Sequence, residues 1–218
     1  MLRQYAISLH VGMRPQLSEQ LQKFAKVVSD TKITSFLKIL SSLETFKDRI
    51  DFCEEYLERI AAGSSRIAYK LPDGTVLKLA QNEKGLAQNK VESNPKMQSE
   101  FINEVLRRDK KYLWLNNRFL EKITESEFAE LTGVNFKDFG ESLRYGCRAK
   151  EEDLDEPEDF EEIKKSTLYQ ELARLVDKFH LSVGDMQRPS SWGRNEKGRP
   201  VLIDAGLTEE VYEEFYES

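Results

Sequence analysis

Two short runs of β-formers, Ser65 to Leu71 and Thr75 to Ala80, are separated by Pro72-Asp73-Gly74. Proline presets φ for a turn and glycine accepts φ > 0 without a Cβ penalty. Ile67, Tyr69 and Leu71 alternate along the first run, and Val76, Leu77 and Leu79 fill the second, so the segment reads as an antiparallel hairpin. This hairpin divides the chain.

Upstream, residues 15 to 61 carry a helical pattern. Leu17, Leu21, Phe24, Val27 and Val28 make one apolar face, followed by Ile33, Phe36, Leu37, Leu40 and Leu43, then Phe46, Ile50, Phe52 and Cys53, and finally Tyr56, Leu57 and Ile60. The period changes at Ala62-Gly63. Downstream, residues 82 to 92 read as a helix ended by Asn94-Pro95. Residues 96 to 108 read as another helix, and 112 to 115 and 118 to 120 as short strands. Helical patterns return at 124 to 132, 135 to 145 and 163 to 179, with an acidic stretch at 151 to 162 read as a solvated loop. The order predicts an α+β protein: an N-terminal helical extension (1–56), a β-rich lobe (57–122) and a reduced helical lobe (123–218).

Composition narrows the function classes. Hydrophobic residues make up 39% of the 218 and charged residues 33%, which suits a soluble globular chain. No apolar run reaches the length of a membrane span, and the first ten residues are too polar for a secretory signal. With Cys53 and Cys147 the only cysteines, a reduced cytoplasmic protein is expected. A net charge of −6 argues against a nucleic-acid binder. Two histidines and two cysteines without ligand spacing argue against zinc, so any metal would be a hard cation on carboxylates.

The chemistry-bearing residues lie in three places. Asp185 follows the long amphipathic segment, in Val183-Gly184-Asp185. Asp204 follows the apolar run Val201-Leu202-Ile203, in Asp204-Ala205-Gly206. Carboxylates so placed suit orientation of a hydroxyl and capture of Mg²⁺. Lys78 sits in the second hairpin strand, preceded by Gly63-Ser64-Ser65-Arg66, whose N–H and hydroxyl groups suit phosphate. Glu83 and Glu92 follow it on the next helix, and either could pair with the lysine.

This order resembles the protein-kinase-like superfamily: glycine-containing loop, strand lysine, helix glutamate, catalytic-loop aspartate and metal-binding Asp-x-Gly. Thr75-Val76-Leu77-Lys78 looks like the strand motif, Val183-Gly184-Asp185 like the catalytic-loop triplet, and Ile203-Asp204-Ala205-Gly206 like the metal motif, with the two aspartates about 19 residues apart. The stretch from Val76 to Glu92, Glu127 to Gly133 and Trp192-Gly193 is similar to compact kinase-like proteins of tailed bacteriophages. The resemblance covers roughly residues 57 to 207. It implies a minimal bilobal kinase-like fold with ATP and Mg²⁺ as cofactors, in the cytoplasm (the host's, for a viral protein). Lys78 would hold the phosphates, Glu92 would orient Lys78, and Gly63, Ser64 and Ser65 would cover them. Glu121 would fall near the adenine-contacting hinge, Asp185 would position the acceptor, and Asp204 with Ser191 would bind metal. The implied activity is ATP- and Mg²⁺-dependent phosphoryl transfer to an unidentified protein or small-molecule acceptor.

Three departures accompany the likeness. The phosphate loop reads Ala61-Ala62-Gly63, poor in glycine. Ser190 or Ser191 stands where the family has asparagine, and only a short tail follows Asp204. They keep open a pseudokinase, a nucleotide-binding or interaction scaffold, with the N-terminal helices as its candidate partner surface.

Overall fold

The computed structural model describes residues 30–149 and 152–216. The helical pattern from Leu17 to Val28 lies outside the described residues. The chain divides into two compact units, Met1–Glu44 and Thr45–Ser218. In the first, helix α1 (Asp30–Ser42) buries Ile33, Phe36, Leu37 and Leu40, the stripe the apolar spacing prescribes.

The second unit is mixed α+β with antiparallel sheets. It opens on α2 (Phe46–Tyr56), where the Thr45 side chain accepts the Asp48 N–H at 3.0 Å and so caps the first turn. This helix, assigned from sequence to the N-terminal extension, belongs to the second unit. Residues 58–61 also depart from the helical expectation and, with Ala62, form β1 (Glu58–Ala62). All five are exposed, so no apolar stripe favours a helix there, and pairing with β2 (Arg66–Lys70) decides the conformation.

The hairpin of β2 and β3 (Val76–Ala80) forms as expected. Gly74 takes φ 81° in the turn and donates to the Leu71 carbonyl at 3.0 Å. β3 is buried along its whole length, in the centre of a five-stranded sheet. With β4 (Val105–Arg108) and β5 (Trp114–Asn117) the order is β1-β2-β3-β5-β4. The helix expected over 96–108 is absent. A single 3-10 turn at Pro95–Met97 gives way to extended chain, because β4 supplies the edge that closes β5's hydrogen bonding. Residues 118 to 120, expected as strand, are connecting chain.

Helix α3 (Glu83–Glu92) runs close to β3. A methyl group on Gly85 would overlap the Ser65 carbonyl oxygen and reach Ala80 Cα at 2.9 Å, so the glycine that weakens helix propensity is what lets α3 approach.

The rest of the unit comprises a second sheet, β6 (Glu121–Lys122), β7 (Trp192–Arg194) and β8 (Pro200–Leu202), and helices α4 (Glu125–Thr132), α5 (Phe136–Arg148), α6 (Phe160–Ile163), α7 (Thr167–Phe179), α8 (Val183–Met186) and α9 (Glu209–Tyr216), the last of which packs against α3. Trp192 is wholly buried, with ring centroids 5.2 Å from Phe128 and 6.1 Å from Phe139. Its indole N–H donates to the Met186 carbonyl at 2.8 Å, which anchors the segment around Asp185 to the core. Leu202 N–H donates to the Phe101 carbonyl at 2.8 Å, and Asn103 N–H to the Leu202 carbonyl at 3.0 Å, so β8 is tied to the chain that leads into β4. Among the described residues no helix is long and apolar enough to cross a membrane.

Gly85→Ala is therefore expected to destabilise the protein by about 1–3 kcal/mol, through overpacking against fixed backbone. A chemical-denaturation midpoint equal to wild type would contradict this account of α3.

Candidate functional site

Directly paired residues of an antiparallel sheet share a face. Arg66 pairs with Ala80, Ala68 with Lys78, Val76 with Asn117 and Lys78 with Leu115. One face thus carries Arg66, Lys78 and Asn117, with two alanines leaving room for the long cations. Helix α3 meets it with Asn89 and Glu92, three residues apart and on one side of the helix.

Glu92 is 1% exposed and is the hub of the site. Its Oε1 accepts from Lys78 Nζ at 2.5 Å and from Asn117 Nδ2 at 3.2 Å, and its Oε2 from Arg66 Nη1 at 2.8 Å. Lys78 also donates to the Ile203 carbonyl at 2.7 Å, which ties the strand lysine to the segment after β8. Arg66, 7% exposed, donates to Asn89 Oδ1 at 3.1 Å and, through Nη2, to Asp204 Oδ1. Two buried cations and two carboxylates form one balanced network.

Burial opposes the charge on Arg66, but Asp204 and Glu92 outweigh it and hold the guanidinium above its ordinary value. Loss of water around it likewise pushes the Asp204 carboxyl up. The charges of Arg66 and Lys78, with hydrogen bonds from Arg66 and the Gly206 N–H, prevail and hold it well below the usual carboxylate range. Asp204 remains half exposed on the outer side of this network. Gly206 follows for a steric reason: a Cβ there would meet the Gln88 carbonyl at 2.8 Å and Arg66 Nη1 at 3.2 Å.

Asp185 lies on α8, close enough for Asp204 and Arg66 to influence its titration. Burial raises its carboxyl, Arg188 at 3.3 Å opposes that rise, and Asp204 adds to it. Lys78 and the Asp204 segment therefore come together from distant stretches of chain, and Asp185 lies within electrostatic reach of Asp204.

The other expected site residues are placed differently. Gly63, Ser64 and Ser65 link β1 to β2, and their carbonyls are bound by Gln81 Nε2 (2.5 Å), Asn82 Nδ2 (2.8 Å) and Gln81 N–H (3.0 Å). The buried Ser65 hydroxyl donates to Gln88 Oε1 at 2.7 Å. Glu121 is exposed on β6 and pairs with Arg194 at 3.4 Å. The Ser191 carbonyl accepts the Ile203 N–H at 2.7 Å, beside the stretch that bears Asp204. His180 ends α7 in the left-handed region, and its imidazole is exposed.

The arrangement does not form a ready cradle for Mg²⁺. Asp204 Oδ1 already carries a guanidinium, and among the described residues no group of three or more His, Cys, Asp or Glu is placed to hold a metal. Two cavities, of about 280 and 500 Å³, open elsewhere: one at Phe101, Leu131 and Leu168, the other at Arg144, Ser182 and Glu213.

Sequence reasoning took Arg66 only as part of a loop and missed its central place. The available signal was parity: in the hairpin register Arg66 shares a face with Lys78. Asn89 and Asn117 left no comparable signal. Comparison of the chain with protein-family models and with curated proteins gave no match.

Glu92→Gln removes one charge facing two buried cations. It is expected to cost about 3–5 kcal/mol of stability, as breaking a buried pair does. A thermal or urea midpoint near that of wild type would show that the network is not buried and coupled as described.

Proposed function

We propose that this chain is a nucleoside-triphosphate-binding protein of minimal protein-kinase-like, bilobal fold. The observation that carries the proposal is the Lys78–Glu92 pair, presented by a central strand and an adjoining helix and joined through Arg66 to the Asp-x-Gly segment at Asp204. A strand lysine steadied by a helix carboxylate is a preorganised phosphate-binding cation. The sheet order, with a helix between its third and fourth strands, supports the likeness, as does the convergence of Asp185. ATP is the proposed ligand, with the β1–β2 connection at Gly63 to Ser65 alongside its phosphates. The engaged Asp204 favours a binding role without phosphoryl transfer, that of a pseudokinase scaffold.

An ATP- and Mg²⁺-dependent phosphotransferase is the alternative. It is favoured by the position of Asp185, the group that would orient an acceptor hydroxyl. Asp204 and Ser191 would then be the metal ligands, and Arg66 would have to release Asp204 first.

Isothermal calorimetry with ATP tests the proposal. Wild type is expected to bind, and Lys78→Met to lose at least about tenfold in affinity, the scale of one charge-assisted phosphate contact. Absence of heat with wild-type protein, with and without Mg²⁺, would overturn it.

A further inference from the structure

The geometry points to Arg66 as the resident counter-charge of Asp204, standing where a divalent cation would otherwise be needed, so that the chain engages a polyphosphate without metal. The inference deepens the nucleotide-binding proposal and rests on it.

A triphosphate approaching Lys78 meets two carboxylates, Glu92 and Asp204, the second of them half exposed. Unscreened, Asp204 would repel the ligand, since opposition between like charges grows as water is excluded. A bound cation is one way to cancel that charge. Here the cancelling charge is built into the fold. Arg66 enters from β2, bonds Asp204 Oδ1 through Nη2 and is fixed from behind by Glu92 and Asn89. The guanidinium is almost fully buried and cannot be titrated away. Gly206 closes the arrangement, because a Cβ there would strike the Gln88 carbonyl and press on the guanidinium. A cation on the same carboxylate would lie against this fixed positive charge, so Asp204 as folded is a poor metal ligand. Arg66 is thus a positioning residue: it holds and neutralises Asp204 beside the Lys78–Glu92 pair.

The test is ATP affinity measured in excess EDTA and in excess Mg²⁺, on wild type, Arg66→Gln and Asp204→Asn, with circular dichroism confirming that each variant is folded. Wild type is expected to bind in EDTA within about threefold of its affinity in Mg²⁺. Arg66→Gln should weaken binding in EDTA and recover it with Mg²⁺, because Asp204 is then bare. If Arg66→Gln fails to fold, the wild-type comparison of EDTA with Mg²⁺ still decides the inference, and Asp204→Asn shows whether any wild-type gain from Mg²⁺ runs through that carboxylate. A gain of about tenfold or more from Mg²⁺ in wild type, lost in Asp204→Asn, would make Asp204 a metal ligand. That result would overturn the inference and leave nucleotide binding standing. Absence of ATP binding by wild type in either condition would overturn the nucleotide-binding proposal and the inference with it.

Discussion

Glu92 is a carboxylate held almost entirely away from water, and an ion so placed persists only when it is paired and its lone pairs are filled. Both its oxygens are occupied, one by Lys78 and Asn117, the other by Arg66. Because those partners come from β3, β5 and β2, one side chain fixes the angle and depth at which α3 meets the sheet. Arg66 then extends the same network to Asp204, so the segment after β8 is held by the same charge balance. Loss of one member leaves its neighbours buried and unmatched, which makes the site cooperative rather than a set of separate contacts.

Small residues make this geometry attainable. Ala68 and Ala80 leave space on the sheet face, while Gly85 and Gly206 let α3 come into backbone contact on two sides. Trp192 performs the corresponding task in the helical part, fixing the chain after Asp185 through a single indole hydrogen bond and an aromatic cluster. Neither arrangement bears directly on phosphate chemistry. Both help to place the segments that carry Lys78, Asp185 and Asp204.

Much of this was legible in the sequence because it is local. The β2–β3 hairpin rests on a turn whose φ values only certain residues tolerate, and α4, α5 and α7 on apolar spacing within one segment. Lys78, Glu92 and Asp204, which the ion-pair network joins, were singled out through their order along the chain. Residues 58–61 and 96–108 were misassigned because the strands they contribute to exist only by pairing with other segments, which no local period records. Arg66 escaped for a related reason. A polar residue at the start of a strand reads as solvent-facing until the register places it beside Lys78 and a helix brings Glu92 over it.

The central claim is that Arg66 and Asp204 act as a coupled pair in the ligand-free protein. A double-mutant cycle in chemical denaturation, with Arg66→Gln, Asp204→Asn and the double variant, measures that coupling directly. The account predicts an interaction energy of about 1 kcal/mol or more, the double variant being less destabilised than the sum of the single ones. Additivity within about 0.3 kcal/mol would show that the two side chains do not meet, and would contradict the account.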